Sequence, residues 1–68
     1  MISYAPLWRT MRERGATTYT LQVKGEISSS TVRRLRANEN IETKTLDKLC
    51  IALSCRLEDI AEHIPDPQ

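Results

Sequence analysis

Two cysteines, one histidine and nine acids are the side chains of this 68-residue chain that could hold a metal or take part in covalent chemistry. Cys50 and Cys55 are separated by four residues, which is not the CxxC spacing of zinc or redox sites. Two thiolates are too few for a structural zinc, and His63 would supply only a third ligand. The bland reading is a small core residue at Cys50 and a partly exposed thiol at Cys55, as suits a reducing compartment. A catalytic set is also missing. A nucleophile needs a base within hydrogen-bond reach, and the one histidine lies near the C-terminus, far in sequence from the serines. No enzymatic activity, metal or cofactor is expected.

Non-covalent chemistry is better represented. The stretch "EISSSTVRRLR" sets Ser28, Ser29, Ser30 and Thr31 ahead of Arg33, Arg34 and Arg36. Short hydroxyls and a helix N-terminus bond phosphate oxygens or base edges, and guanidinium groups reach a guanine edge or a phosphate in two-pronged fashion. Charge is distributed accordingly. Residues 1–40 carry seven bases against three acids, a net +4, and residues 41–68 carry three against six, a net −3. The front of the chain is therefore the part suited to a polyanion. A solvated basic face would have the same composition, so position must decide.

The elements that position these residues are read from spacing. One domain is the only sensible count at this length, and its core must be lean. There is no Phe, and the aromatic set is Tyr4, Trp8 and Tyr19. With two glycines and three prolines, the composition suits a small helical globule. Leu7, Trp8 and Met11 predict a first helix over about 5–14, with Pro6 in its first turn and Gly15 at its stop. "TTYTLQVKG" predicts a second over about 18–24, capped by Thr17 or Thr18, with Leu21 inward. Ser28 as cap, Ile27 before it, and Val32 and Leu35 inward predict a third over about 28–37. Asn38 and Asn40 suit the turn that follows. Leu46, Leu49, Cys50 and Leu53 share a face of a fourth helix over about 43–53, with Thr43 as cap. Leu57, Ile60, Ala61 and Ile64 predict a fifth helix that Pro65 stops near His63, leaving a frayed tail over 65–68. The longest apolar run, "LCIAL", is far short of the ~20 residues of a membrane span, and "MISYAPLW" has no basic leader. The expectation is an all-α, compact five-helix bundle in the cytoplasm.

Three or four residues separate the second and third helices, and Leu21, Ile27, Val32 and Leu35 fall where a helix-turn-helix needs its inward residues. The third helix then keeps one free face bearing Ser29, Ser30, Arg33 and Arg34. Short residues stand where such a helix comes closest to a major groove, and long cations where it does not.

At this point the whole chain resembles the small Cro/C1-type (xenobiotic-response-element type) helix-turn-helix regulators, in particular a compact single-domain branch common in Gram-positive bacteria and their mobile elements. The matching stretches are "MISYAPLW", "ISSSTVRRLR", "NENI", "TLDKLCIAL" and "LEDIAEHIPD", which cover nearly all of residues 1–66. Each is weak alone, and their order and spacing carry the match. The resemblance implies a lambda-repressor-like domain and a transcriptional regulator that binds double-stranded operator DNA. It puts Tyr19 at the start of the motif's first helix, where the superfamily often has a phosphate-bonding Gln. Ser28, Ser29, Ser30, Thr31, Arg33 and Arg34 fall on the reading helix, and Arg36, Asn38 and Asn40 at its end and in the loop beyond. Departures are Gln22 where many members have Ala, and Glu26 at a turn position that usually holds Gly or Asn. Glu dislikes positive φ, so Gly25 is expected to take that conformation.

Bland roles compete at several of these positions. Arg36 can pair with Glu39 one turn later, Thr31 can be a local cap, and Trp8 is better suited to the core than to stacking on DNA. Tyr4 packs on the bundle or covers a dimer seam, and Lys44 reads as solvated. A single module buries little surface on a half-site. Tight binding therefore calls for a homodimer on a pseudo-palindrome, its half-sites about one helical turn apart. The fifth helix and "MISY" are the candidate seams. The alternative is a protein-interaction module on the same fold, an antirepressor or antitoxin-like adapter, working through the acidic back half. No pocket for a small-molecule inducer is legible.

Overall fold

Two of the α-helices begin on side-chain caps, and local bonds satisfy backbone groups that the helix ends leave free. The computed structural model describes residues 1–66 and contains, in chain order, β1 (Ile2–Ser3), α1 (Ala5–Glu13), α2 (Thr18–Lys24), α3 (Ser29–Arg36), α4 (Thr43–Leu53), a 3₁₀ turn (Leu57–Asp59) and β2 (Glu62–His63). At the start of α2, the Thr20 N–H donates to Thr17 Oγ1 (3.4 Å) and the Thr17 N–H donates to Thr20 Oγ1 (3.2 Å), a reciprocal capping box. Ser28 caps α3, its Oγ accepting the Thr31 N–H at 3.2 Å. Pro6 sits in the first turn of α1. At α4 the cap position is Glu42, without a side-chain bond, and Thr43 lies inside the helix instead of capping it.

Every α-helix among the described residues stops at or next to a residue in the left-handed conformation: Gly15 (φ 66°), Glu26 (φ 55°), Asn38 (φ 55°) and Ser54 (φ 50°). After α1, α3 and α4 the pattern is a Schellman motif, with paired 6→1 and 5→2 hydrogen bonds. The Ala16 N–H reaches Met11 C=O at 2.8 Å, Glu39 N–H reaches Arg34 C=O at 2.9 Å, and Cys55 N–H reaches Cys50 C=O at 3.1 Å. Only one of the four stops uses glycine.

The expected fifth helix is not formed, and the chain is not all-α. A 3₁₀ turn takes Leu57–Asp59, and β2 pairs antiparallel with β1, Ile2 opposite His63 and Ser3 opposite Glu62. Among the apolar residues spaced for a helix, only Ile60 is fully buried, while Leu57 and Ile64 are exposed. One anchor does not sustain a short helix with a costly nucleus. Tertiary partners hold this segment instead. Asp59 C=O accepts the buried Thr10 hydroxyl at 2.8 Å, Asp59 Oδ2 accepts the Arg56 N–H at 3.0 Å, and the Ile64 N–H donates to Met1 C=O at 2.8 Å. The "MISY" segment is therefore engaged within its own chain. Of the tail expected to fray, Asp66 lies 3.2 Å from the Met1 ammonium group, and residues 67 and 68 lie outside the described residues.

The core gathers Tyr4, Leu7 and Met11 from the N-terminal part with Leu21, Ile27, Val32, Leu35, Leu49, Leu53 and Ile60. Trp8, Cys50 and Cys55 pack against it, partly buried. No helix among the described residues is long and apolar enough to cross a membrane.

Candidate nucleic-acid interface

The turn between α2 and α3 fixes how the third helix is presented. Gly25 is not the residue with positive φ: it has φ −89°, and Glu26 adopts φ 55°. The reason is space. A Cβ on Gly25 would stand 2.7 Å from Leu21 C=O, 3.1 Å from Ile27 Cγ1 and 3.4 Å from Ala52 Cβ of α4. Glycine is required there because the turn folds back on the Leu21 carbonyl and the Ile27 side chain, and the left-handed step moves on to an exposed glutamate. The Ile27 N–H then turns back to Leu21 C=O at 3.2 Å.

With Ile27, Val32 and Leu35 buried, α3 turns Ser29, Ser30, Arg33, Arg34 and Arg36 to solvent. Ser28 Oγ lies 3.0 Å from Ser30 Oγ and 2.9 Å from Thr31 Oγ1. Three hydroxyls at the helix start are thus joined in a local network that also holds the Ser28 cap. Tyr19, at the start of α2, is 70% exposed. It stands on an adjacent element with its phenol in solvent. Among the described residues no acid lies within 4.0 Å of the guanidinium of Arg33, Arg34 or Arg36; the ion pairs found are Met1–Asp66 and Arg56–Glu58.

Arg36 differs from its two neighbours. It does not pair with Glu39 but lies over the Trp8 ring of α1, 5.5 Å from the centroid. A cation over an indole face gains about 0.5–1 kcal/mol at an exposed site and steers the guanidinium toward α1. Asn38 is also committed on one side: its Oδ1 accepts the Tyr4 N–H at 2.9 Å. The buried Tyr4 then donates its hydroxyl to Glu39 C=O at 2.8 Å. One residue from the chain start thus braces the end of α3 at two points. Asn40 remains exposed in the loop beyond. Sequence reasoning missed Tyr4 and Trp8 as supports of this helix end. The available signal was their position just before and within α1, with no other aromatic residues nearby to pack on.

The fold and this arrangement can be set against known proteins. A family model described as the Cro/C1-type HTH DNA-binding domain matches residues 6–66. The chain belongs to that family. Among solved structures, this Cro/C1-type domain is similar to one described as "Crystal structure of transcriptional regulator VanUg, Form II". The TM-score is 0.87 at 32% identity, over 96% of this chain and 87% of that one. No curated protein matches the chain. The matched residues include the whole of α2 and α3.

Proposed function

We propose that this Cro/C1-type domain is a sequence-specific transcriptional regulator that sets α3 in the major groove of an operator. The observation that carries the reading is the exposed face of α3, where Arg33 and Arg34 stand beside Ser29 and Ser30 without an acidic partner among the described residues. Arginines that are not neutralised within the molecule are available to a guanine edge or a phosphate. Ser28, Ser30 and Thr31 offer hydroxyls at the helix N-terminus, where phosphate is favoured. Tyr19 offers its phenol to the backbone from α2. Arg36, Asn40 and the free amide nitrogen of Asn38 meet phosphate at the far end. The transcriptional role of the similar solved protein supports the same assignment. Two copies on a pseudo-palindrome supply the affinity that one module lacks.

The test is selection from sheared genomic DNA at low and moderate salt, with the Arg33→Ala, Arg34→Ala variant run in parallel. The expected result is one enriched site with two related half-sites, lost in the variant. Affinity should fall with salt at a slope of about −0.9 per phosphate neutralised. For Arg33→Ala alone, a loss of roughly 1–3 kcal/mol confined to one base pair identifies a base reader. Equal retention of DNA by the variant and the parent refutes the assignment of α3.

A further inference from the structure

The closing positions of the Schellman motif after α4 are both cysteines. Ser54 turns left-handed (φ 50°, ψ 51°), its N–H donates to Ile51 C=O at 3.3 Å, and the Cys55 N–H donates to Cys50 C=O at 3.1 Å. A 6→1 bond of this kind sets the first and last residues of the motif side by side. Disulfides need Cα atoms about 4.4–6.8 Å apart, a separation that adjacent, hydrogen-bonded backbones provide. Both thiols are free and half-buried. A shallow cleft of about 240 Å³ lined by Thr43, Leu46, Asp47, Cys50 and Leu57 opens onto Cys50, so a small oxidant has a path to it.

We propose that Cys50 and Cys55 are a dithiol modification site, which thiol–disulfide exchange with a small-molecule disulfide converts into an intramolecular staple across the C-terminal end of α4. The exchange balances without any other reagent. One protein thiol loses its proton to solvent, and its thiolate attacks a sulfur of the oxidant R–S–S–R and expels RS⁻. The second protein thiol then loses its proton and attacks the mixed disulfide, expelling the second RS⁻. One protein S–S bond replaces two S–H bonds, and the oxidant's S–S bond becomes two thiols.

The environment sets the rate. Burial pushes both thiols above their ordinary range. Asp47 of α4 and Asp59 of the 3₁₀ turn push Cys50 further in that direction; Asp59 does the same for Cys55, against which Arg14 at the end of α1 acts in the opposite sense. The thiolate fraction is small near neutral pH, so closure is slow there and accelerates as the solution is made alkaline. Slow closure and a stable product are compatible, because the folded backbone already holds the two residues side by side. The staple also lies near the seat of the helix-turn-helix, since Ala52, between the two cysteines, is the α4 residue facing Gly25.

The experiment equilibrates the full-length protein with mixtures of oxidised and reduced glutathione, in native buffer and in denaturant. Intact mass and free-thiol titration are read after acid quenching. The expected product is a monomer that has lost both thiols together and retains no glutathione. Cys50→Ser and Cys55→Ser should each stop at a single glutathione adduct. The closure constant should be at least about tenfold larger in native buffer than in denaturant. That ratio equals about 1.4 kcal/mol and raises Tm of the oxidised protein by about 6–11 °C, reversibly on reduction. Persistent glutathione adducts or intermolecular dimers in the parent protein would overturn the proposal. So would a closure constant no larger in native buffer than in denaturant.

Discussion

Asn38 serves two structural purposes at once, and its replacement separates them. It holds φ 55° at the stop of α3, and its Oδ1 accepts the Tyr4 N–H at 2.9 Å. Asn38→Gly keeps the left-handed step and removes the acceptor. An N–H in a part-buried site left without its partner costs about 1–3 kcal/mol. The relief of left-handed strain in glycine is offset by the larger conformational entropy of glycine in the unfolded chain. The net expectation is a loss of about 1–2 kcal/mol. Asn38→Ala removes the acceptor and adds roughly 1 kcal/mol of left-handed strain, for a total of about 2–4 kcal/mol. In a domain of this size each kcal/mol moves Tm by about 4–8 °C. The assay is thermal and urea unfolding of the parent and both variants, and the expected order of stability is Asn38, then Gly, then Ala. A glycine variant as stable as the parent would refute the claim that the bond to Tyr4 stabilises the fold. Equal losses for glycine and alanine would refute the strain at this position.

The turn before α3 yields a pair of opposite effects. Glu26→Gly should stabilise by about 1 kcal/mol in chemical denaturation, because the residue now in the left-handed region is a glutamate, whereas Gly25→Ala should destabilise by at least that much through contact with Leu21 and Ile27. A stabilised Gly25→Ala variant would show that the turn can yield there. Leu35→Ala empties a fully buried position and should cost roughly 2–5 kcal/mol; an unchanged urea midpoint would mean that α3 is turned differently about its axis. Tyr4 titrates above its ordinary range because of burial. Its contribution to stability is therefore complete below about pH 10 and is lost as pH rises through the folded value. A pH-stability curve of Tyr4→Phe should lack that part of the alkaline fall, and an identical alkaline limb in both proteins would argue against it.

The amino-acid sequence by itself determined the helices that carry the interface. Caps at Thr17 and Ser28 and inward residues at Leu21, Val32 and Leu35 act over three or four positions, so their effect is readable from spacing alone. The same locality makes the Ser–Arg stretch legible as one exposed face. Tertiary structure decided what depends on partners distant in the chain. Leu57, Ile60, Ala61 and Ile64 have helical spacing, yet β1 supplies an edge to residues 62–63 and Thr10 takes the Asp59 carbonyl. Backbone groups satisfied from 49 or more positions away leave no signal in local periodicity. The turn was misread for a similar reason. A Cβ at Gly25 would strike the Leu21 carbonyl and crowd Ile27, contacts set by how the turn closes on the core, so the need for a missing Cβ outweighs the need for a flexible φ, and the strain passes to Glu26. Arg36 leans on Trp8 and Asn38 on Tyr4 because the fold brings these two residues of the N-terminal segment beside the end of α3. Local charge pairing, by contrast, had suggested Glu39 for Arg36. Residue types set which contacts are chemically available, and the packing of distant elements selects among them.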